Sequence, residues 1–443
     1  MNKQDKWLQN IFIPIATGIN DFGKLPLLIL FKSMDRFTGL IGIVVILGIA
    51  FLLSNNKKAI NYRLVISGIG LQLAIALLVL KVPFITNFFA MLGRGMGKIE
   101  QFATQGAAFA YGGIIVDKHD GTSVGFGAPH TFVFAFSVTA TIIFVCVLVA
   151  VLYHIGFMQK VIALIARAMN FVMRVSGAEA LSNIASAFVG QVEAQVMIRP
   201  YLPTMTKSEL MASMAGSMAC IAGGILIVYV NMGAKAEYLL TASLMAAPAA
   251  LVISKIIYPE TEESQTKGTV KLEVKSPYTN VIDAVSHGAA DGMKIAINVI
   301  AMLIGFIALI ALINYGLGKI WEPLSLDYIF GKVFYPLAWC MGVPEADVQQ
   351  AATIMGQKLT INEFVAFDTL THRLAAPLSE KGTLIVSFAI CGFANFSSVG
   401  MQIGGIGALA PERRADLAKL GIRALIAGTL ASYLSATIAG MLI

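Results

Sequence analysis

Charge is scarce in this sequence. Of 443 residues, 13% are Asp, Glu, Lys or Arg and 57% are hydrophobic, and the mean hydropathy is +0.78. An average soluble domain carries roughly 25% charged residues. A water-soluble globule and a disordered chain are therefore poor fits. The net charge of +7 does not call for nucleic acid, because membrane proteins collect Lys and Arg on their cytoplasmic loops. Cysteine is scarce too. Cys146, Cys220, Cys340 and Cys391 sit among apolar neighbours without CxxC spacing, so they read as small buried hydrophobes rather than a disulfide framework or zinc site. HExxH and Walker A patterns are absent, as are two His at i, i+4. An intramembrane hydrolase has no metal motif to rest on. The chain is expected not to be an enzyme and to need no cofactor.

What is present is apolar sequence in long runs. A helix needs about 20 mostly apolar residues to cross a bilayer. Windows of that kind lie at 37–56, 64–80, 131–155, 210–234, 238–254, 295–318, 382–411 and 424–443. The alternation of a barrel is absent, so a spanning segment must close its hydrogen bonds as a helix. The fold class expected is an all-α integral membrane protein with about eight transmembrane helices. Lys57, Lys58 and Arg63 follow the first window; Lys160, Arg167 and Arg174 follow the third; Arg413, Arg414, Lys419 and Arg423 precede the last. All three loops fall on the cytoplasmic side if the first span runs from outside to inside. The polar stretch 259–276 falls there too. Residues 1–33 hold Pro14, Asp21, Lys24 and Pro26 and no small-residue cleavage site. They are expected to be an interfacial helix or a short extra span rather than a signal peptide.

Two stretches are too short or too polar to cross simply. One runs from about Gly177 to Thr206, in two halves around Gly190-Gln-Val-Glu193. The other runs from about Pro344 to Pro377, around a polar centre from Gly356-Gln357 to Asn362-Glu363. Each half spans about half a bilayer at 1.5 Å per residue. A re-entrant helical hairpin is the natural form, allowed where protein buries it or water lines it. Each is followed by an apolar helix with a weak point, at Cys220 to Gly224 and at Cys391 to Ser398. Hairpin then broken helix thus occurs twice, with an odd number of crossings between. That is an inverted repeat, the layout of secondary transporters with a midplane site.

Glu193 and Glu363 lie at the hairpin centres. A carboxylate within the membrane is a functional candidate by default, though each could also cap the following half-helix. Gln191, Asn362, Asn395 and Ser398 lie at similar depth, where the plainer role is interhelical hydrogen bonding. Lys358 is expected to snorkel or pair. His119 and His130 belong to a polar loop, His287 and His372 to span ends, and His154 closes the third span. Gly93-Arg-Gly-Met-Gly97 reads as a flexible link in an interfacial segment.

These residues carry a resemblance. VGQVEAQVMIRPYLPTMTKSEL (189–210), NEFVA (362–366) and CGFANFSSVG (391–400) resemble the concentrative nucleoside transporters, as do PETEES (259–264) and MLIGFIALIALIN (302–314). The likeness covers residues 34–443. It implies a homotrimer in the inner or plasma membrane that imports nucleosides by cation symport and alternating access. It also implies a scaffold part (about 34–130 and 290–340) and a transport part (about 131–258 and 344–443) holding the hairpins and broken helices. Gln191, Val192 and Glu193 would face the nucleobase. Glu363, Asn395 and Ser398 would bind ribose, and Ile225 and Phe393 would pack around the substrate.

The sequence departs from the family pattern in three places. Val192 stands where a hydroxyl residue is usual. Ser186 stands where sodium-coupled members carry Asn, and Cys220 where a Ser helps hold sodium. The sodium site would lie near Ser186, Val189, Cys220 and Ile221. Sodium prefers hard oxygen ligands, and a thiol is soft. A proton on Glu193 or Glu363 is therefore favoured over sodium as the coupling ion.

Overall fold

In lipid each segment must satisfy its own backbone, and this chain does so with helices. The structure, a computed structural model, describes residues 38–111, 134–266 and 278–443, and those residues contain no strand. The expectation for residues 1–33, the loop with His119 and His130, and most of the 259–276 stretch fall outside the described residues.

Helix α1 (Thr38–Leu52) leads through a basic turn to α2 (Tyr62–Lys81), whose first turn is capped by Asn61. The Gly93–Gly97 segment is no flexible link; it lies inside a continuous helix, α3 (Pro83–Tyr111). A Cβ on Gly93 would sit 2.8 Å from the Ala236 methyl, so the missing side chain admits a close helix neighbour. The third window forms α4 (Phe134–His154). After a bend of 77° the chain continues as α5 (Phe157–Met173).

The first hairpin is α6 (Gly177–Ser186) and the short α7 (Glu193–Met197). Its second half is shorter than expected, because Pro200 and Pro203 cannot prolong a helix. The broken helix after it is α8 (Lys207–Ala219) and α9 (Gly223–Asn231). Then come α10 (Ala236–Ile257), the 40-residue α11 (Val281–Ile320), and two short helices, α12 (Leu326–Val333) and α13 (Tyr335–Cys340). The second hairpin is α14 (Val348–Thr360) and α15 (Glu363–Asp368). The second broken helix is α16 (Glu380–Ile390) and α17 (Phe396–Leu409). Helix α18 (Arg414–Met441) closes the chain.

All eight windows are thus helical, two of them broken. Five helices or joined pairs among the described residues are long and apolar enough to cross a membrane unaided: α2, α8–α9, α10, α11 and the 411–441 segment. The second hairpin turns later than its polar centre suggests. Gly356 and Gln357 lie inside α14, where a Cβ on Gly356 would strike Phe330 of α12 and Gln357 donates to Asp327 at 2.9 Å. The turn itself is Ile361-Asn362, so the two Gly-Gln pairs are not equivalent.

Hydrogen bonds fix which way each hairpin points. Ser176 and Thr206 open the two arms of the first hairpin region, each in a capping box with the Glu three residues on, the S/T-x-x-E pattern. The Gly177 amide donates to the Thr266 carbonyl at 2.9 Å, and the Thr206 hydroxyl to Glu260 at 2.8 Å. Asn55 donates to Ile257, and the Arg413 guanidinium to the carbonyls of Leu202, Pro203 and Met205. The basic loops therefore gather with the PETEES stretch at one end, as the orientation argument requires. The second hairpin is tied off elsewhere. Asp347 before it accepts from the Ser379 amide at 3.0 Å, and Lys235 pairs with Glu380 at 3.7 Å. The two hairpins enter from opposite ends, and the repeat is inverted.

The broken helices cross at their breaks. The Phe393 amide donates to the Cys220 carbonyl at 3.4 Å, and a Cβ on Gly392 would lie 2.4 Å from the Ala219 carbonyl oxygen. Only glycine lets the backbones meet so closely.

Candidate functional site

Both hairpin tips reach α17, the second at its start and the first further along it, at Met401 to Gly405. Asn395 is its N-cap, and its Oδ1 accepts from the Ser398 amide at 2.9 Å, the Ser398 hydroxyl at 3.1 Å and the Ser397 hydroxyl at 2.7 Å. With Oδ1 so engaged, Nδ2 faces outward and donates to Glu363 Oε2 at 2.8 Å. Glu363 is only 3% exposed and begins α15, where Asn362 caps through the Val365 amide at 3.0 Å. Sequence reasoning named Glu363, Asn395 and Ser398, and the structure brings all three together.

The first tip is built differently. Gly190 adopts φ +113, and a Cβ there would lie 2.6 Å from Glu193 Oε2. Val192 occupies the N-cap of α7 and offers no capping side chain. Its methyls rest on α17 instead: a Cβ on Gly405 would sit 2.7 Å from both. Gln191 accepts from Gln402 Nε2 at 3.2 Å and donates to the Met401 sulfur at 3.4 Å. Glu193 is exposed toward a cavity of about 320 Å³. Val145, Cys146 and Tyr153 of α4, Gly224 of α9 and Asp291 of α11 line it as well. Ile225 in the first turn of α9 and Phe393 in the second break are half-buried against the core.

Lys358 does not snorkel. It is fully buried, five residues before Glu363. Gln402 lies at the first tip, bonded to Gln191, and Tyr229 packs against α15 of the second; sequence reasoning named neither. Gln402 had a signal, since 395, 398 and 402 fall on one face of a helix at i, i+3, i+7. Tyr229 had none, being one aromatic in an apolar run.

The region proposed for sodium is a closed hydrogen-bond network. Gln195 Nε2 donates to Ser182 (3.0 Å) and to Ser217 (2.8 Å), and Ser213 donates back to Gln195 Oε1 at 2.7 Å. Ser182 and Ser213 join at 2.6 Å, and Ser217 joins Ser186 at 2.8 Å. Ser186 in turn donates to the Ser182 carbonyl at 2.8 Å. Ser186 thus accepts one bond and donates one. The Cys220 thiol faces the carbonyls of Asn183 and Ser243 at 3.8 and 4.0 Å, and the Ile221 carbonyl accepts from the Ser243 hydroxyl at 3.4 Å. Among the described residues no three His, Cys, Asp or Glu converge as metal ligands.

Three family descriptions match the chain in series. Residues 41–114 match "Na+ dependent nucleoside transporter N-terminus", 135–236 match "Nucleoside recognition", and 238–440 match "Na+ dependent nucleoside transporter C-terminus". The nucleoside permease NupC of Helicobacter pylori is 38% identical over 412 residues, covering 91% of this chain and 97% of the relative. The solved structure of CNTnw in an inward-facing substrate-bound state matches with a TM-score of 0.85 and 42% identity, covering 91% of this chain and 98% of that one. A doubly substituted CNTnw in an outward-facing state matches with a TM-score of 0.86 and 41% identity, covering 92% and 99%.

Proposed function

The chain belongs to the concentrative nucleoside transporter family, and on that premise we propose how its site works. It is a multi-pass nucleoside transporter of the cell membrane, not an enzyme. The nucleoside lies between the two tips. Glu363, Asn395 and Ser398 take the ribose hydroxyls, and Gln191 and Glu193 face the base. Val192, Ile225 and Phe393 supply apolar contact. The carrying observation is the 2.8 Å bond from Asn395 to Glu363, which joins a hairpin tip to a broken helix around a buried carboxylate. A carboxylate is acceptor-only and suits a diol.

In this reading the hairpins, broken helices and α18 move together against a scaffold. Close contacts of Gly288 and Gly292 with the α4 backbone support moving α4 from the transport part to the scaffold beside α11, and in this reading the cavity at Glu193 is the seam between the parts. The assembly is a homotrimer, as the family resemblance implies.

Coupling by a proton on Glu193 or Glu363 is favoured over sodium. Ser186 already donates one bond and accepts another, which leaves its oxygen one lone pair, and position 220 offers sulfur, a poor ligand for a hard cation. The sodium reading draws on the family description. Uptake of uridine into proteoliposomes separates the two: an acid-outside gradient without sodium drives concentrative uptake if protons couple, whereas strict dependence on sodium overturns that choice. Glu363→Gln tests the site itself. Uptake is abolished with unchanged protein yield, and wild-type uptake by this variant sinks the assignment.

A further inference from the structure

Gln195 is the one polar side chain of α7 that is fully buried. Two serine pairs join the helices on either side of it, α6 and α8: Ser182 with Ser213 at 2.6 Å, and Ser186 with Ser217 at 2.8 Å. The pairs lie about one helical turn apart, and the Gln195 amide spans both. Its Nε2 donates to Ser182 at 3.0 Å and to Ser217 at 2.8 Å, and its Oε1 accepts from Ser213 at 2.7 Å. These bonds fix the direction of the rest. The Ser213 proton is spent on Oε1, so Ser182 donates to Ser213. The Ser186 proton goes to the Ser182 carbonyl at 2.8 Å, so Ser217 donates to Ser186. Every serine oxygen thus accepts one bond, and the two amide hydrogens of Gln195 are where the series of donors begins. Two hydrogens aimed at oxygens of two helices do what a bound cation does: they present positive charge to lone pairs and fix the spacing of three segments. The residues that the family pattern allots to sodium meet this network at Ser186, and they fit a hard cation poorly. Ser186 donates and accepts within the network, the Ile221 carbonyl accepts from Ser243 at 3.4 Å, and Cys220 offers sulfur.

We propose that Gln195 is a positioning residue that takes the place of a cation in the first hairpin. Its amide holds α7 against α6 and α8, so that Gln191 and Glu193 are presented to the nucleoside without sodium. Gln195 itself does not touch the substrate. The residues above it, 190–193, stay free to adapt to the base, because the anchorage lies below them. The proposal rests on the reading of the first tip as nucleoside-facing, and it names the group that makes sodium dispensable for binding there.

The test is uridine binding to the purified full-length protein at one pH, titrated in potassium chloride and in sodium chloride of equal ionic strength, with the melting temperature followed in both. Wild-type Kd values should agree within about twofold, because the amide already supplies what a cation would. Gln195→Leu removes the amide and should weaken binding by about tenfold in both salts, the worth of one or two hydrogen bonds. Gln195→Glu keeps the size and the acceptor for Ser213 but exchanges the two donor hydrogens for a charged oxygen, which calls for a cation. Its Kd in potassium should rise by about tenfold or more, and sodium should restore most of the affinity. A merely structural Gln195 would lower the melting temperature of Q195E alike in both salts and give its Kd no sodium response, which overturns the proposal. Wild-type binding that needs sodium overturns it too. Should Q195E be recovered folded only in sodium, that is the predicted response in another form; failure in both salts overturns the proposal. The acid-gradient uptake described above tests the coupling ion separately. If Glu193→Gln and Gln191→Ala both keep wild-type affinity, the reading of the first tip has failed. If they lose affinity while Q195L and Q195E bind as wild type does in potassium, only the role of Gln195 has failed.

Discussion

The two hairpin tips reach the same helix by opposite means. The second tip is locked. Asn362 caps α15, Asn395 caps α17, and Glu363 is buried with its carboxylate on the Asn395 amide. The first tip is loose. Val192 stands where a cap would be, Gly190 bears the turn at positive φ, and Glu193 opens to the cavity. A missing N-cap bond is worth about 1 kcal/mol of local stability. The difference suits what nucleosides have in common and what they do not: a constant sugar for the fixed grip, a variable base for the adaptable one.

The largest effect that could break this comparison is at the two acids. Glu363→Gln should weaken uridine binding by about tenfold to a hundredfold, since a hydrogen bond to a buried charge is worth about 1.5–3 kcal/mol. Glu193→Gln should cost only about threefold to tenfold, because water can replace its contacts. Equal losses in a binding titration would dissolve the contrast. Next is Gly190→Ala. It forces a side chain to φ +113 and against Glu193 Oε2, a strain of about 1–3 kcal/mol, so uridine uptake should fall by about tenfold and the melting temperature by about one to six degrees. Gly405→Ala is milder. Its new methyl meets Val192 at 2.7 Å, and the lifted tip should weaken affinity about threefold to tenfold; Val192→Ala added to it should restore affinity if the clash is the cause. The smallest effect sharpens the comparison from the other side. Val192→Asn would give the first tip the cap that the second has, and should raise the substrate-free melting temperature by about one to two degrees. Asn362→Ala should lower it by a similar amount.

Much of this was legible because charge is so rare in the chain. Against an apolar background, Glu193 and Glu363 stood out, and the charge-free windows between basic loops marked the helices. The breaks at Cys220 and Cys391 showed through their glycines and small polar neighbours. Other features left weaker traces. Gly356 and Gln357 looked like a hairpin tip, but they continue α14 because Phe330 packs on the glycine and Asp327 holds the glutamine. Gly93 looked like a flexible link, yet it serves close packing against Ala236. The Gln195 network and Tyr229 were invisible, since their partners lie far along the chain and depend on how the helices cross.

The central claim is that the sugar is gripped by the locked tip and the base by the loose one. Competition binding to the purified transporter tests it most directly, with uridine as reference, 3′-deoxyuridine altering the sugar, and cytidine and inosine altering the base. The account predicts that loss of the 3′-hydroxyl weakens binding by about tenfold or more, since it leaves a buried acceptor unpaired, while each change of base costs less. Binding that tolerates the deoxy sugar and collapses with a changed base would contradict it.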